Sequence, residues 1–110
     1  MNSHDIPRMI AEQSTTEPSY IEFLRVPALS SGLYFLPVDA VDTQQPHNED
    51  EVYYVVHGRA QIRVADEDQV VEAGTMVYVP AQVPHYFHAI VEDLAILVLF
   101  APAESTPANT

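Results

Sequence analysis

Two histidines and one glutamate have the residue types and the spacing of a metal site. His47 and Glu51 lie four residues apart at the start of an apolar run rich in Tyr and Val, and His85 follows later, after Gly74 and Pro80. Two imidazole nitrogens and one carboxylate can hold a divalent metal ion and leave its other coordination positions open. Such a site would support Lewis-acid chemistry or chemistry with oxygen.

The other residue types with reactive side chains add little chemistry. His57 precedes a glycine and is expected on a surface hairpin, and His88 is out of phase with His85 along an extended strand, so it should face away. The chain has no cysteine and no lysine. Disulfides, thiolate ligands and Schiff-base chemistry are therefore excluded.

The charge balance bears on the partners. Acidic residues number sixteen against four arginines, for a formal net charge of −12. This charge repels phosphate groups, so neither nucleic acids nor anionic membranes are expected as partners. The expected partner is a small-molecule substrate or ligand. The longest apolar run is too short to span a membrane, and the N-terminus lacks a basic region followed by an apolar one. We expect a cytoplasmic protein.

The composition divides the chain into three parts. Residues 1–19 are polar, contain two prolines and are expected to be flexible, with one helical turn around residues 7–13. Residues 102–110 are rich in Pro, Ala, Ser and Thr and are expected to form a disordered tail. The sequence between them, residues 20–101, is predicted to be a single β domain.

Short strands separated by turn residues make up this central domain. We predict seven or eight of them, with turns at Ser30-Ser31-Gly32, His57-Gly58, Asp66-Glu67-Asp68 and Glu92-Asp93. The pattern is typical of an all-β sandwich or small barrel. Residues 94–100 are apolar on both faces, so the N-terminal segment or a second subunit should cover the outer face, and we expect a homodimer.

Alternation along the strands predicts which aromatic side chains lie near the metal site. Tyr53 shares a strand face with Glu51, and Phe87 shares one with His85. Both are expected to line a cavity, together with Tyr34 and Tyr78, and the alternative for all four is an ordinary place in the barrel core.

Two stretches of the sequence resemble the motifs of the cupin superfamily, specifically its small single-domain members. The first motif of that family is G(x)5-H-x-H-(x)3–4-E-(x)6-G, and this chain has Gln45-x-His47-(x)3-Glu51-(x)6-Gly58. The second is G(x)5-P-x-G-(x)2-H-(x)3-N, and this chain has Gly74-(x)5-Pro80-x-Gln82-(x)2-His85. The resemblance covers about residues 33–101 and implies a double-stranded β-helix of the jelly-roll type.

The resemblance also implies a ligand set. His47, Glu51 and His85 would occupy three of the four metal-ligand positions, and Gln45 the fourth, where the family has a histidine. The opening glycine is replaced by Asp39, the glycine of the second motif by Gln82 and its final asparagine by Ala89. One divalent ion, Fe(II), Mn(II), Ni(II) or Zn(II), is expected.

Three functions remain open from the sequence. The first is a mononuclear non-haem oxygenase acting on a small apolar or aromatic enol, in which Glu51 could leave the metal and act as a catalytic base, as the resemblance to dioxygenase cupins suggests. The second is a redox-neutral metal-dependent isomerase, lyase or cyclase. The third is a non-enzymatic cupin that binds a small molecule, favoured by the motif departures at Gln45 and Ala89.

Overall fold

The computed structural model describes residues 1–13, 16–44 and 46–105. Over these residues the chain forms one helix and six antiparallel strands: α1 (Ile6–Glu12), β1 (Ser19–Val26), β2 (Leu29–Leu36), β3 (Asp50–Val64), β4 (Glu67–Glu72), β5 (Met76–Val79) and β6 (His85–Ala101). The strand order is β1-β2-β6-β3-β4, with β5 paired to β3. The prediction of an all-β sandwich or small barrel is confirmed.

The two longest strands, β3 and β6, each replace two predicted strands. The predicted turns at His57-Gly58 and Glu92-Asp93 are wrong, because both strands continue through them. The ladder between β3 and β6 shifts register three times between Val55 and Gln61, which bends both strands at this point. Gly58 has a φ of 101°, and a Cβ there would collide with the Asp93 carbonyl. We call this bend, residues 55–61 with 92–95, the corner.

The corner folds the sheet over on itself. The first half of β3 pairs with β5 and with the second half of β6, whereas its second half pairs with β4 and with the first half of β6. Two layers therefore enclose one core, and both long strands belong to both layers. The largest fully buried apolar side chains are Tyr53, Phe87, Phe100, Leu33, Leu36, Ile62, Ile90, Leu94 and Ile96.

The predicted turn at Ser30-Ser31-Gly32 is also wrong, since these residues lie inside β2 and the turn falls at residues 27–28. All three are buried, and the Ser31 hydroxyl donates a hydrogen bond to the Val98 carbonyl at 2.8 Å. The ring of Tyr20 packs against Gly32 where a Cβ would otherwise be. Small residues here let the neighbouring strand pack closely, although in the sequence they look like a turn.

Helix α1 covers the outer face of the sheet. Its Ile6, Met9 and Ile10 pack on Leu33, Phe35 and Ala95. The Asp5 side chain caps the helix by accepting the Arg8 N–H at 3.1 Å. Part of the segment expected to be flexible is thus a helix docked on the barrel, and the N-terminal segment provides the expected cover for the outer face of β6.

The chain beyond β6 is held against the barrel as far as the structure describes it. The Ala103 N–H donates to the Pro27 carbonyl at 3.3 Å, and the Glu104 N–H donates to the Ser30 hydroxyl at 2.9 Å. Glu104 is buried, with 1% of its surface exposed. Residues 102–105 of the predicted disordered tail are therefore ordered on the barrel, and residues 106–110 lie outside the described residues. No described helix is long and apolar enough to cross a membrane.

Candidate metal centre

The structure brings His47, Glu51 and His85 together between the two layers. Glu51 Oε1 lies 3.1 Å from His85 Nε2 and 3.8 Å from His47 Nε2. One ligand atom from each residue falls within 4.8 Å of the others. Glu51 and His85 are buried, with 1% and 4% exposed, and His47 is half-buried. The three side chains could therefore share one metal ion.

The three residues come from different parts of the chain. His47 lies in the loop before β3, Glu51 is the second residue of β3, and His85 is the first residue of β6. On the ladder His85 is paired with Val64, at the end of β3 opposite to Glu51. Only because the corner folds the sheet do His85 and Glu51 meet across the barrel.

Two backbone N–H groups of the loop before His85 bind the segment that carries His47. The Gln82 N–H donates to the His47 carbonyl at 2.7 Å, and the Ala81 N–H donates to Asp50 Oδ1 at 3.0 Å. The Val83 carbonyl lies 2.9 Å from His85 Nδ1 and accepts its proton in the tautomer that this contact favours. In that tautomer the lone pair of His85 Nε2 points at Glu51 and is available to a metal.

The buried polar atoms of this cluster have no partners that satisfy them. Both Glu51 oxygens and His85 Nε2 are buried, and none has a hydrogen bond of acceptable geometry from the described residues. An unpaired carboxylate in a dry interior is costly, and a cation bound between these atoms would remove that cost. Two nitrogens and one carboxylate oxygen suit Fe(II), Mn(II), Ni(II) or Zn(II) better than Mg(II) or Ca(II), which prefer oxygen alone. The residues present fit the expected metal.

Electrostatics around the cluster shift two pKa values. Burial alone would lower the pKa of His85, but the Glu51 carboxylate and the Val83 carbonyl outweigh it, and the pKa is raised. Burial, followed by the charge of Glu51, raises the pKa of Tyr53 well above its ordinary value. Tyr53 therefore stays a neutral phenol beside the cluster and can donate a hydrogen bond.

Gln45, the expected fourth ligand, lies outside the described residues. Its neighbour Gln44 reaches the cluster, with Oε1 at 3.4 Å from His47 Nε2 and accepting the Tyr53 hydroxyl at 3.0 Å. The Gln44 Nε2 group donates to Asp42 Oδ2 at 2.9 Å, which fixes the amide with its oxygen towards the cluster. Nothing in the sequence distinguished Gln44 from Gln45 except the motif spacing, which favoured Gln45.

Asp42 is a second residue that sequence reasoning missed. Only 9% of it is exposed, and it accepts hydrogen bonds from the Tyr34 hydroxyl at 2.7 Å and from the Phe87 N–H at 2.9 Å. It thereby ties the loop that carries His47 to β2 and β6. Asp42 carries no sequence signal, because it looks like any polar loop residue.

Glu104 is the third residue that was missed, and its carboxylate contacts the imidazole of His47. Its Oε2 lies 3.2 Å from His47 Nδ1, on the opposite side of the imidazole from Glu51. An ordered acid is not expected in a segment rich in Pro and Ala, so no pattern pointed to Glu104.

Three of the four aromatic residues expected in the cavity wall lie inside the barrel. Tyr53, Phe87 and Tyr34 are buried, and the rings of Tyr53 and Phe87 are 4.9 Å apart. Tyr78 was predicted wrongly, because 55% of it is exposed. The ladder pairs Glu51 with Val79, so Tyr78 faces the outer side of the sheet.

The two remaining barrel histidines lie away from the cluster, as expected. His57 is exposed at the corner, where its Nδ1 lies 3.0 Å from the Asp93 carbonyl. His88 Nε2 lies 2.7 Å from Asp68 Oδ1 near the surface. One inward ring was not anticipated: Phe100 packs edge-on against His47, with centroids 4.8 Å apart.

Known proteins support the family that fold and cluster indicate. A sequence profile described as "Cupin domain" matches residues 32–101. An uncharacterized protein of Streptomyces coelicolor is 47% identical over 105 residues, which cover 96% of this chain and all of that protein. The chain therefore belongs to the cupin family, as a small single-domain member.

Solved structures agree on the fold. A crystal structure from Thermus thermophilus matches with a TM-score of 0.79 and 24% identity, covering 94% of this chain and 99% of that one. The structure of KdgF from Halomonas sp. matches with a TM-score of 0.72 and 22% identity, covering 83% of this chain and 84% of that one. DMSP lyase DddQ from Ruegeria pomeroyi matches with a TM-score of 0.73 and 16% identity, covering 77% of this chain and 47% of that one. At these identities the likeness concerns the fold.

Proposed function

We propose that this cupin is an enzyme with one divalent metal ion held by His47, Glu51 and His85. The observation that carries the proposal is the convergence of their ligand atoms within 4.8 Å, with the oxygens of Glu51 and Nε2 of His85 buried and unpaired. When bound, such a metal supplies Lewis-acid activation of a substrate oxygen and, if it is redox-active, electron transfer with O₂.

The metal itself is tested first. Protein purified without chelators should contain a stoichiometric metal, and His85→Ala should lose it because one of three ligands is gone. His57→Ala is the matched control, since His57 is an exposed histidine of the same barrel. Metal content is measured by inductively coupled plasma mass spectrometry. Wild-type protein that stays empty after incubation with each candidate metal would refute the proposal.

The reaction we favour is oxygenation of a small apolar or aromatic enol. The two-histidine, one-carboxylate set is the ligand composition of non-haem iron oxygenases. Tyr53 and Phe87 offer an aromatic wall beside the cluster, and Glu51 can accept a proton from the substrate hydroxyl.

The distribution of charge supports a substrate without an anionic group. The chain has no lysine, three of its four arginines form ion pairs with acids near the surface, and Arg59 is exposed. No lysine or arginine is therefore available at the cluster to pair with a carboxylate or phosphate of a substrate. A neutral molecule with two adjacent oxygens, able to chelate the metal, is the class that the site suits.

Oxygen uptake tests the reaction. Fe(II) protein reconstituted without air should consume O₂ when a suitable enol, catechol or flavonol is added, and His85→Ala should not. The His57→Ala protein should retain the activity. Absence of substrate-dependent uptake across a broad set of such compounds would contradict an oxygenase.

A redox-neutral isomerase, lyase or cyclase is the second candidate. It is favoured by Tyr53, a phenol kept protonated beside Glu51, since a donor and a base side by side suit proton transfer through an enolate. Turnover that persists without O₂ and with redox-inert Zn(II) would select this candidate over the first, and Tyr53→Phe should reduce it.

We also propose that the protein is a cytoplasmic homodimer. Tyr54, Met76 and Tyr78 are 41%, 68% and 55% exposed and lie together on the outer face of β3 and β5. A second copy would cover this apolar face. Light scattering after gel filtration should give a dimer mass, and Tyr78→Glu should reduce it to a monomer mass, whereas Val91→Glu, at a separate exposed position, should not.

A further inference from the structure

We infer that Glu104 is a positioning residue of the metal centre. Its carboxylate accepts the Nδ1 proton of His47 and so turns Nε2 of that imidazole towards the metal. This inference rests on the proposed function, because it assigns a role in the proposed metal site. Glu104 lies outside residues 32–101, where the family profile matches, so it is not part of the matched domain.

The imidazole of His47 lies between two buried carboxylates. Nδ1 is 3.2 Å from Glu104 Oε2, and Nε2 is 3.8 Å from Glu51 Oε1. A neutral imidazole has one protonated and one unprotonated nitrogen, and only the unprotonated one can bind a metal. Nε2 is the nitrogen nearer Glu51, and its contact with the Gln44 amide oxygen, at 3.4 Å, is longer than the 3.2 Å from Nδ1 to Glu104. We therefore assign the proton to Nδ1, where Glu104 can accept it.

Glu104 is fixed in place by its own backbone and its neighbours. Its N–H donates to the Ser30 hydroxyl at 2.9 Å, and the next N–H, of Ser105, donates to Glu49 Oε2 at 3.1 Å. The side chain is 1% exposed. A carboxylate held this way constrains both the tautomer and the orientation of the ring that it contacts.

The burial of Glu104 is itself unexplained without a cation. Neither of its oxygens has a hydrogen bond of acceptable geometry from the described residues; His47 Nδ1 is 3.2 Å away, and the positive charge of Arg25 acts on Glu104 from further off. A lone buried carboxylate is costly. A divalent ion on His47 would polarise the imidazole, strengthen the N–H donated to Glu104, and balance the two charges of Glu51 and Glu104.

The affinity for Zn(II), measured by competition with a chromogenic chelator, tests this role. Glu104→Ala should weaken binding about 10–100-fold, the usual effect of removing such an outer partner. Glu104→Gln keeps an acceptor oxygen and should recover part of the loss. Glu72→Gln is the control for charge alone, because it removes one carboxylate from an exposed position of β4.

Two outcomes overturn the inference while leaving the metal site intact. Glu104→Ala could bind Zn(II) as tightly as wild type, or Glu72→Gln could weaken the binding as much as Glu104→Ala does, which would indicate a general effect of charge. If wild-type protein takes up no metal, the proposed function fails together with this inference.

The wild-type protein offers a second measurement that is independent of how the variants fold. Nitrogen-15 NMR of the Zn(II)-loaded protein reports which nitrogen of each histidine carries the proton. We expect His47 to be protonated at Nδ1 with Zn(II) on Nε2. Protonation at Nε2 would overturn the inference.

Discussion

The departures from the family motifs keep the backbone that the motifs require. Asp39, Gln82 and Ala89 replace two glycines and an asparagine, and their φ angles are 64°, 67° and 48°. The retained Gly58 and Gly74 have φ of 101° and 97°. Glycine and asparagine adopt this left-handed region most readily, so these motif positions specify backbone shape. The three replacements carry strain that the rest of the fold outweighs.

Ala89→Gly should therefore stabilise the protein slightly. Removing the left-handed strain should raise the free energy of unfolding by about 1–2 kcal/mol. The greater freedom of glycine in the unfolded chain should lower it by about 0.5–1 kcal/mol. Ala73→Gly is the control, because Ala73 is exposed in a turn and its φ is not positive. It should destabilise the protein by about 0.4–1 kcal/mol. Urea unfolding measures the free energy of unfolding of both variants. If Ala89→Gly and Ala73→Gly lose the same stability, Ala89 is not strained.

The raised pKa of His85 predicts opposite pH dependences for the metal-free and metal-loaded protein. The folded protein binds the His85 proton more tightly than the unfolded chain does, so this stabilisation is present below the ordinary pKa of 6.5 and is lost as pH rises through the raised value. Metal binding needs the unprotonated ring, so Zn(II) affinity should rise over the same range.

The free energy of unfolding of the metal-free protein, measured between about pH 6 and pH 8, checks this sign. The His85→Gln variant should lose the part of the pH dependence due to this group. If the free energy of unfolding of the metal-free His85→Gln protein changes with pH as steeply as that of wild type, Glu51 does not hold the His85 proton.

Among single residues, the sequence identified those whose type and spacing are chemical. His47, Glu51 and His85 were found because imidazole and carboxylate at motif spacing are uncommon. Gln44, Asp42 and Glu104 were missed because amides and acids in polar segments look solvated, and only the fold shows that these are buried. Tyr78 was misplaced because its face depends on the register between β5 and β3.

At the scale of elements, the strands were recognised but their continuity was not. His57-Gly58 and Glu92-Asp93 have the composition of turns, yet both lie at the corner inside long strands. A bent strand needs the same left-handed glycine that a turn needs, so composition cannot separate the two. Which case holds depends on long-range pairing between β3 and β6.

The two positive-φ glycines make a matched test of the corner. Gly74→Ala should cost about 1–2 kcal/mol, because the left-handed backbone is strained but the space around it is open. Gly58→Ala should cost about 1–3 kcal/mol more, since its Cβ also meets the Asp93 backbone. Thermal and urea unfolding measure the difference, and equal losses would contradict close packing at the corner.

At the scale of the whole molecule, metal and fold are coupled. The cluster takes residues from the loop before β3, from β3, from β6 and from the segment after it, so it exists only in the folded chain. A ligand that binds the folded state alone stabilises it, by about 2.7 kcal/mol at 100 times its Kd. The all-β class and the single domain were predictable from the strand pattern. The convergence of the cluster residues was not, because it depends on how the sheet folds over on itself.

Removing the metal should therefore lower the melting temperature. Dialysis of loaded wild-type protein against a chelator should lower Tm by several degrees, and adding Zn(II) should restore it. His85→Ala should melt at the same temperature with and without the metal. Calorimetry or circular dichroism measures this, and a wild-type Tm indifferent to metal would contradict a resident ion.

The shared strands also have a consequence for local opening. Since β3 and β6 each belong to both layers, neither layer can open without breaking the ladder that holds the other. Amide hydrogen exchange should then follow one global opening on both sides of the corner, with equal free energies at the buried Val55 and Ile62. Metal bound by His47, Glu51 and His85 should slow exchange at both amides equally, so that the barrel exchanges as one cooperative unit.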